Sequence, residues 1–197
     1  VCVRADATLE EGWFYEGAGI YRHVWLNKAD KLHVAPFGTF VYSEFAVPYS
    51  LRGQAGPDLS VVSLHIETSV QNMGSAAASY SLRHTLIDAA GNAVGTCESE
   101  GGLILAKDSH KTMSVIAVEN PHLWSCEDPY LYKVMTEVYA DGNLVDTYET
   151  TAGIRHIAFD NDRGFLLNGE VVKLKGVNMH QDHAGVGSGI PDALQEW

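Results

Sequence analysis

Cysteine, basic charge and long apolar runs are all scarce in this chain. Its 197 residues hold 3 cysteines, Cys2, Cys97 and Cys126, and no C-x-x-C pair. That spacing argues against a structural zinc site of the usual kind, and nothing in it asks for a disulfide. Lys and Arg number 13 against 25 Asp and Glu, a formal net charge of −12, and the basic residues are scattered. A nucleic-acid partner is therefore not expected. No apolar run approaches the roughly 20 residues needed to cross a bilayer, and no leader-like n-region and h-region open the chain. No membrane partner is expected from this segment, and the compartment stays open. Gly-x-Ser-x-Gly, the P-loop and the dinucleotide fingerprint are also missing, so no cofactor is expected. GVGSGI has alternate glycines without the fingerprint spacing.

What is present is an ordinary globular balance, 46% hydrophobic and 19% charged. Between about Leu32 and Ile157 the dominant period is two. In LSVVSLHIETSVQN, Leu59, Val61, Ser63, His65 and Glu67 alternate with Val62, Leu64, Ile66 and Thr68. SYSLRHTLID places Tyr80, Leu82, His84 and Leu86 on one side. Further strand-like runs follow, separated by Gly, Asn, Asp and Pro. Gly91-Asn92 and Asp141-Gly142 read as hairpin turns. Strands at about 8–12-residue intervals with no competing helical window predict an all-β, immunoglobulin-like antiparallel β-sandwich.

The flanks read differently. The first segment is aromatic, GWFYEGAGIYRHVWL, and breaks at NKADK. After Gly153, Asp-Arg-Gly and Asn-Gly turns join short strands ending in VVKLKGV, followed by NMHQDH, a Gly-rich loop and PDALQEW. Pro191 suits the first helical position, with Asp192 favourable at that end of the dipole. A strand, loop and helix start differ from the alternating block, so one fold ends and another begins there. With no initial Met and a final helix that has nothing to pack on, the sequence reads as a piece of a longer protein.

NMHQDH gathers Asn178, His180, Asp182 and His183. A zinc site from His180, Asp182 and His183 would need all three within about 2.0–2.2 Å of one ion, a strain on so short a loop. A buried network in which His180 and His183 satisfy backbone groups is the second reading. The third is a polar wall for a ligand.

Four segments in order resemble the family-2 glycoside hydrolases, which include β-galactosidases, β-glucuronidases and β-mannosidases. GAGIYRHVWL (17–26) resembles the closing strand of that family's jelly-roll, with Arg22 a candidate partner for an acid. ENPHLWSCEDPYLY (119–132) resembles a signature of its immunoglobulin-like domain. GIRHIAF and GFLLNGEVVKLKGVNMHQDH (153–183) resemble the passage into its (β/α)₈ barrel. Locally, Asn120-Pro121 is expected to stop a strand, Leu123 and Trp124 to cap the sandwich core, and Pro129 to open a strand beginning at Tyr130.

The resemblance implies residues 1–30 as the end of the jelly-roll, 31–154 as the sandwich and 155–197 as a truncated barrel start. It implies a retaining glycoside hydrolase acting on a β-galactoside or related saccharide, and places His180 as a substrate contact, with Asn178 and Asp182 beside it. Barrel enzymes build their sites at this end of the strands. Both catalytic glutamates of the family sit on later strands, one after an asparagine. This chain has no Asn-Glu pair, so the expectation is that neither glutamate lies before Trp197 and that the segment is inactive alone. Glu170 reads as a solvated turn residue, and Glu98, Glu100, Glu119, Glu127 and Asp128 as a wet rim. No metal is expected. The competing readings are a non-catalytic carbohydrate- or protein-binding sandwich, or a parent with glucuronidase or mannosidase specificity.

Overall fold

The computed structural model describes residues 2–6, 19–20, 23–47, 57–179, 183 and 185–196. They belong to two compact units, Lys28–Leu174 and a second made of Val1–Asn27 with Lys175–Trp197.

The larger unit is an antiparallel sandwich. Its strands are β1 (Leu32–Val47), β2 (Asp58–Asn72), β3 (Ala78–Ile87), β4 (Ala93–Ile104), β5 (Ser109–Glu119), β6 (Tyr132–Ala140) and β7 (Asn143–Ala152). One sheet has the order β1-β2-β5 and the other β4-β3-β6-β7. The fourth strand therefore joins the second sheet, a three-plus-four partition opposite to that of constant-type immunoglobulin domains. A small third sheet, β10-β9-β8, is built from β8 (Ile157–Asp160), β9 (Gly164–Leu167) and β10 (Glu170–Val171).

The period-two pattern maps onto burial. Val62, Leu64, Ile66 and Val70 of β2 face Leu82 and Leu86 of β3 and Val134 and Val138 of β6 in the interior, with all but Leu82 fully buried. Each such side chain contributes about 1.5–3 kcal/mol relative to exposure. The interior divides into two apolar clusters, one around Leu64, Ile66, Leu86, Ile116 and Val134, the other around Val70, Tyr80, Leu82, Ile104 and Val138. At the inward position between them each of four strands carries a polar residue: Thr68, His84, Ser114 and Thr136, all buried. The core is two apolar layers with a polar layer between.

Turn chemistry sets the register. Asp141 (φ 49°) and Gly142 (φ 76°) both take positive φ in the β6–β7 hairpin, as a two-residue type I′ turn requires. The β3–β4 connection is longer than a Gly-Asn turn. Asp88 Oδ1 accepts from the Ala90 and Asn92 amides at 2.9 and 2.8 Å, and the left-handed residue is Gly91.

β1 is an edge strand, and that explains how it tolerates Pro36. Its register with β2 shifts between Val34 and Thr39. Side chains of β7 cover the backbone there: the Val34 amide donates to Asp146 Oδ2 at 2.9 Å and the Phe37 amide to Tyr148 Oη at 3.2 Å.

In the smaller unit, α1 (Asp192–Glu196) follows Pro191, whose carbonyl accepts from Leu194 at 2.9 Å. His183 and Gly187 form an isolated antiparallel bridge.

Candidate functional site

The segment leading toward NMHQDH leaves the sandwich through one joint, and the residues of 119–132 build it. Asn120 turns the chain with φ 46°, its amide donating to Ser60 carbonyl at 2.6 Å. Ser125 and Asp128 close a local loop: the Ser125 amide donates to Asp128 carbonyl at 2.9 Å, and the Asp128 amide to Ser125 Oγ at 3.0 Å. His122 stacks on Tyr130 at 3.9 Å between ring centres, and its Nε2 lies 2.6 Å from Asp128 Oδ2. Leu123 packs against the first apolar cluster as expected of the cap, but its companion there is Tyr130 and not Trp124, which lies against Gly153. β6 begins at Tyr132, later than expected from Pro129, because the Tyr130 amide is held by Asp128 carbonyl at 2.8 Å in a turn.

Trp124 is the pivot. Its amide donates to Ile154 carbonyl at 2.8 Å, and its carbonyl accepts from Asn168 Nδ2 at 3.0 Å. The same Asn168 accepts the His156 amide through Oδ1 at 2.9 Å and donates its own amide to His156 carbonyl at 2.8 Å. A single side chain thus ties the signature loop, the exit from β7 and the β9–β10 turn. Asn168 holds φ 53°, a left-handed geometry that asparagine tolerates better than most residues. The indole lies against Gly153, where a Cβ would meet it at 3.0 Å, and the Arg155 guanidinium sits 5.3 Å from the ring centre. That geometry is a cation–π contact.

Beside the joint lies an open groove of about 550 Å³ between the edge of β1 and residues 153–157. Buried His156 sits edge-on to Phe45 at 5.7 Å. Burial holds its imidazole below the ordinary histidine value. Among the described residues that line the groove Glu44 is the sole carboxylate, so two opposed carboxyl groups are not found among them.

Of the residues singled out from sequence, Asn178 is exposed and outside any strand or helix. His180, Asp182 and Arg22 lie outside the described residues. The zinc and network readings of the loop fall there too, apart from His183, which sits in its bridge with Gly187. Among the described residues, three or more His, Cys, Asp or Glu are nowhere grouped to hold a metal ion. Of VVKLKGV, Val171 alone is paired in a ladder. Glu170 is exposed on β10 beside its turn, and Glu98, Glu100, Glu119, Glu127 and Asp128 are exposed. What sequence reasoning missed is Asn168. Its only signal was Asn-Gly, which reads as a turn and gives no hint of the side chain's partners.

Comparison with known proteins agrees with this architecture. The family described as Glycosyl hydrolases family 2 matches residues 51–155. The β-galactosidase BoGH2A of Bacteroides ovatus is 32% identical over 191 residues, covering 96% of this chain and 21% of that protein. A β-glucuronidase of Formosa agariphila is 32% identical over 197 residues, covering 95% and 19%. The crystal structure of a Bacteroides uniformis β-glucuronidase superposes with a TM-score of 0.74 at 27% identity, covering 94% of this chain and 22% of that one. The chain spans about a fifth of the length of these relatives. It is a member of glycosyl hydrolases family 2.

Proposed function

We propose that the chain is an internal segment of a retaining glycoside hydrolase acting on β-galactosides. Residues 1–30 end a jelly-roll, 31–154 form the supporting sandwich and 155–197 begin the catalytic (β/α)₈ barrel. The observation that carries this reading is the Asn168 joint. It ties the short sheet that follows β7 to the signature loop through three hydrogen bonds, in the part of the sequence that leads on to GVNMHQDH.

In this reading His180 contacts the sugar, and Asn178 and Asp182 line the same wall. Retaining hydrolysis needs two carboxyl groups about 5–5.5 Å apart, one as acid/base and one as nucleophile. The segment holds no Asn-Glu pair, so both glutamates belong to later strands and the segment alone is silent.

One observation favours a second substrate: a β-galactosidase and a β-glucuronidase match the chain at the same 32% identity. Hydrolysis of aryl β-galactoside and aryl β-glucuronide by the full-length parent separates the two. A larger kcat/KM on the galactoside supports the proposal, and a larger one on the glucuronide replaces it.

A further inference from the structure

We propose that the outer face of the four-stranded sheet carries a saccharide-binding groove, formed by β3, β4, β6 and the β6–β7 turn. The groove begins with two bulges at one level of the sheet. Tyr80 pairs with Gly102 but Ser81 with Glu100, leaving Gly101 extra in β4. Val138 pairs with Asp146 but Tyr139 with Leu144, leaving Val145 extra in β7. Ser81 and Tyr139 are themselves paired, so the bulges flank one strand pair from both sides. A bulge bends its strand and re-aims the neighbouring side chains, and bulges are over-represented at sheet edges, which β4 and β7 both are, and next to active sites.

The result is two adjoining hollows of about 530 and 480 Å³ that share Ser81, Glu100, Tyr139 and Gly142. Each falls within the 300–1,000 Å³ typical of small-molecule sites. The hollow is anchored from inside. The Tyr80 ring occupies the space where a Gly101 side chain would go, and its hydroxyl is held 2.9 Å from His110 Nδ1 and 2.6 Å from Thr112 Oγ1.

The lining chemistry selects the ligand. Arg83 approaches Glu98 only to 3.7 Å, an ion pair without a hydrogen bond. Glu98 and Glu100 are exposed acceptors, Ser81 offers a hydroxyl, and half-buried Tyr139 offers an aromatic wall. A polycation placed here meets Arg83, and an anion meets three carboxylates, Glu98, Glu100 and Asp141. A neutral polyol satisfies both, because each hydroxyl donates to a carboxylate and accepts from a guanidinium. The C–H face of a pyranose ring then lies against Tyr139, the aromatic body giving contact area while its rim stays polar.

The inference rests on the glycosidase reading only in the choice of a galactoside as probe. Methyl β-galactoside and lactose are titrated into the ¹⁵N-labelled 197-residue chain, and amide shifts are followed. The expected result is saturable shifts clustered at residues 79–83, 98–102 and 139–142, weakened roughly tenfold by Tyr139→Ala. Glu100→Gln, an exposed change, should weaken binding too and stands in if Tyr139→Ala does not fold. Shifts that are absent, lie elsewhere or persist in both variants would overturn the proposal, as would tighter binding of spermidine at the same residues. Turnover by the parent enzyme is a separate readout, so failure of the hydrolase assignment leaves this outcome distinguishable.

Discussion

His84 Nδ1 lies 3.0 Å from Thr136 Oγ1 at the centre of the polar layer, with the ring fully buried and Nε2 meeting no hydrogen-bond partner among the described residues. Burial lowers the imidazole pKa to about 4. Because the folded value lies below the unfolded one of about 6.5, the folded state favours the neutral ring. The stability this contributes is complete above pH 6.5 and is lost as pH falls toward 4. The loss is on the order of 2–3 kcal/mol. Urea midpoints measured from pH 7.5 to 4 should fall, and His84→Leu should flatten most of that slope. A residual slope is expected from His156, whose value is also lowered. An unchanged profile in His84→Leu would show that the ring does not titrate with folding.

Asn168 is the second test. Asn168→Gly keeps the left-handed backbone but removes both side-chain bonds, and should cost roughly 1–3 kcal/mol. Asn168→Ala adds backbone strain of about 1 kcal/mol or more. Hydrogen exchange at Leu166 and Leu167, now buried, should accelerate in both variants while the β2 amides keep their protection. Equal acceleration in both places would mean the joint and the sandwich unfold as one.

Two glycines separate space from backbone conformation. A Cβ on Gly101 would fall 2.0 Å from the Tyr80 ring, whereas one on Gly91 meets nothing within 4 Å but sits at φ 89°. Gly91→Ala should cost about 1–2 kcal/mol through strain alone. Gly101→Ala should cost more, at or above the usual 1–3 kcal/mol of overpacking, since Tyr80 is held by two hydrogen bonds. Thermal unfolding of both variants decides the order.

His180→Ala in the full-length parent should lower kcat/KM by the equivalent of a few kcal/mol without changing the unfolding temperature. Unchanged kcat/KM would remove His180 from the pocket wall.

The strands were legible where their pattern is regular. β2, β3 and β6 alternate cleanly because one face is buried, and the polar members His84 and Thr136 keep the register even though they are not apolar. The partition of strands was not legible, since nothing in AVGTCESEGGLI fixes which sheet β4 joins. Neither were the bulges at Gly101 and Val145, which depend on partner strands far off in sequence. The signature at 119–132 was readable as a motif, but its pivot was not. Trp124 acts through backbone groups whose partners, Ile154 and Asn168, lie 30 and 44 residues on. Of the candidate site, Asn178 is among the described residues, whereas His180 and Asp182 lie outside them.

The most direct measurement is hydrolysis of an aryl β-galactoside by the purified 197-residue chain beside its full-length parent. The expected result is an active parent and a silent chain, the pocket histidine being separated from its two glutamates. Turnover by the chain itself would contradict it and would place catalytic carboxylates within these residues, with Asp182 and Glu170 the first to replace.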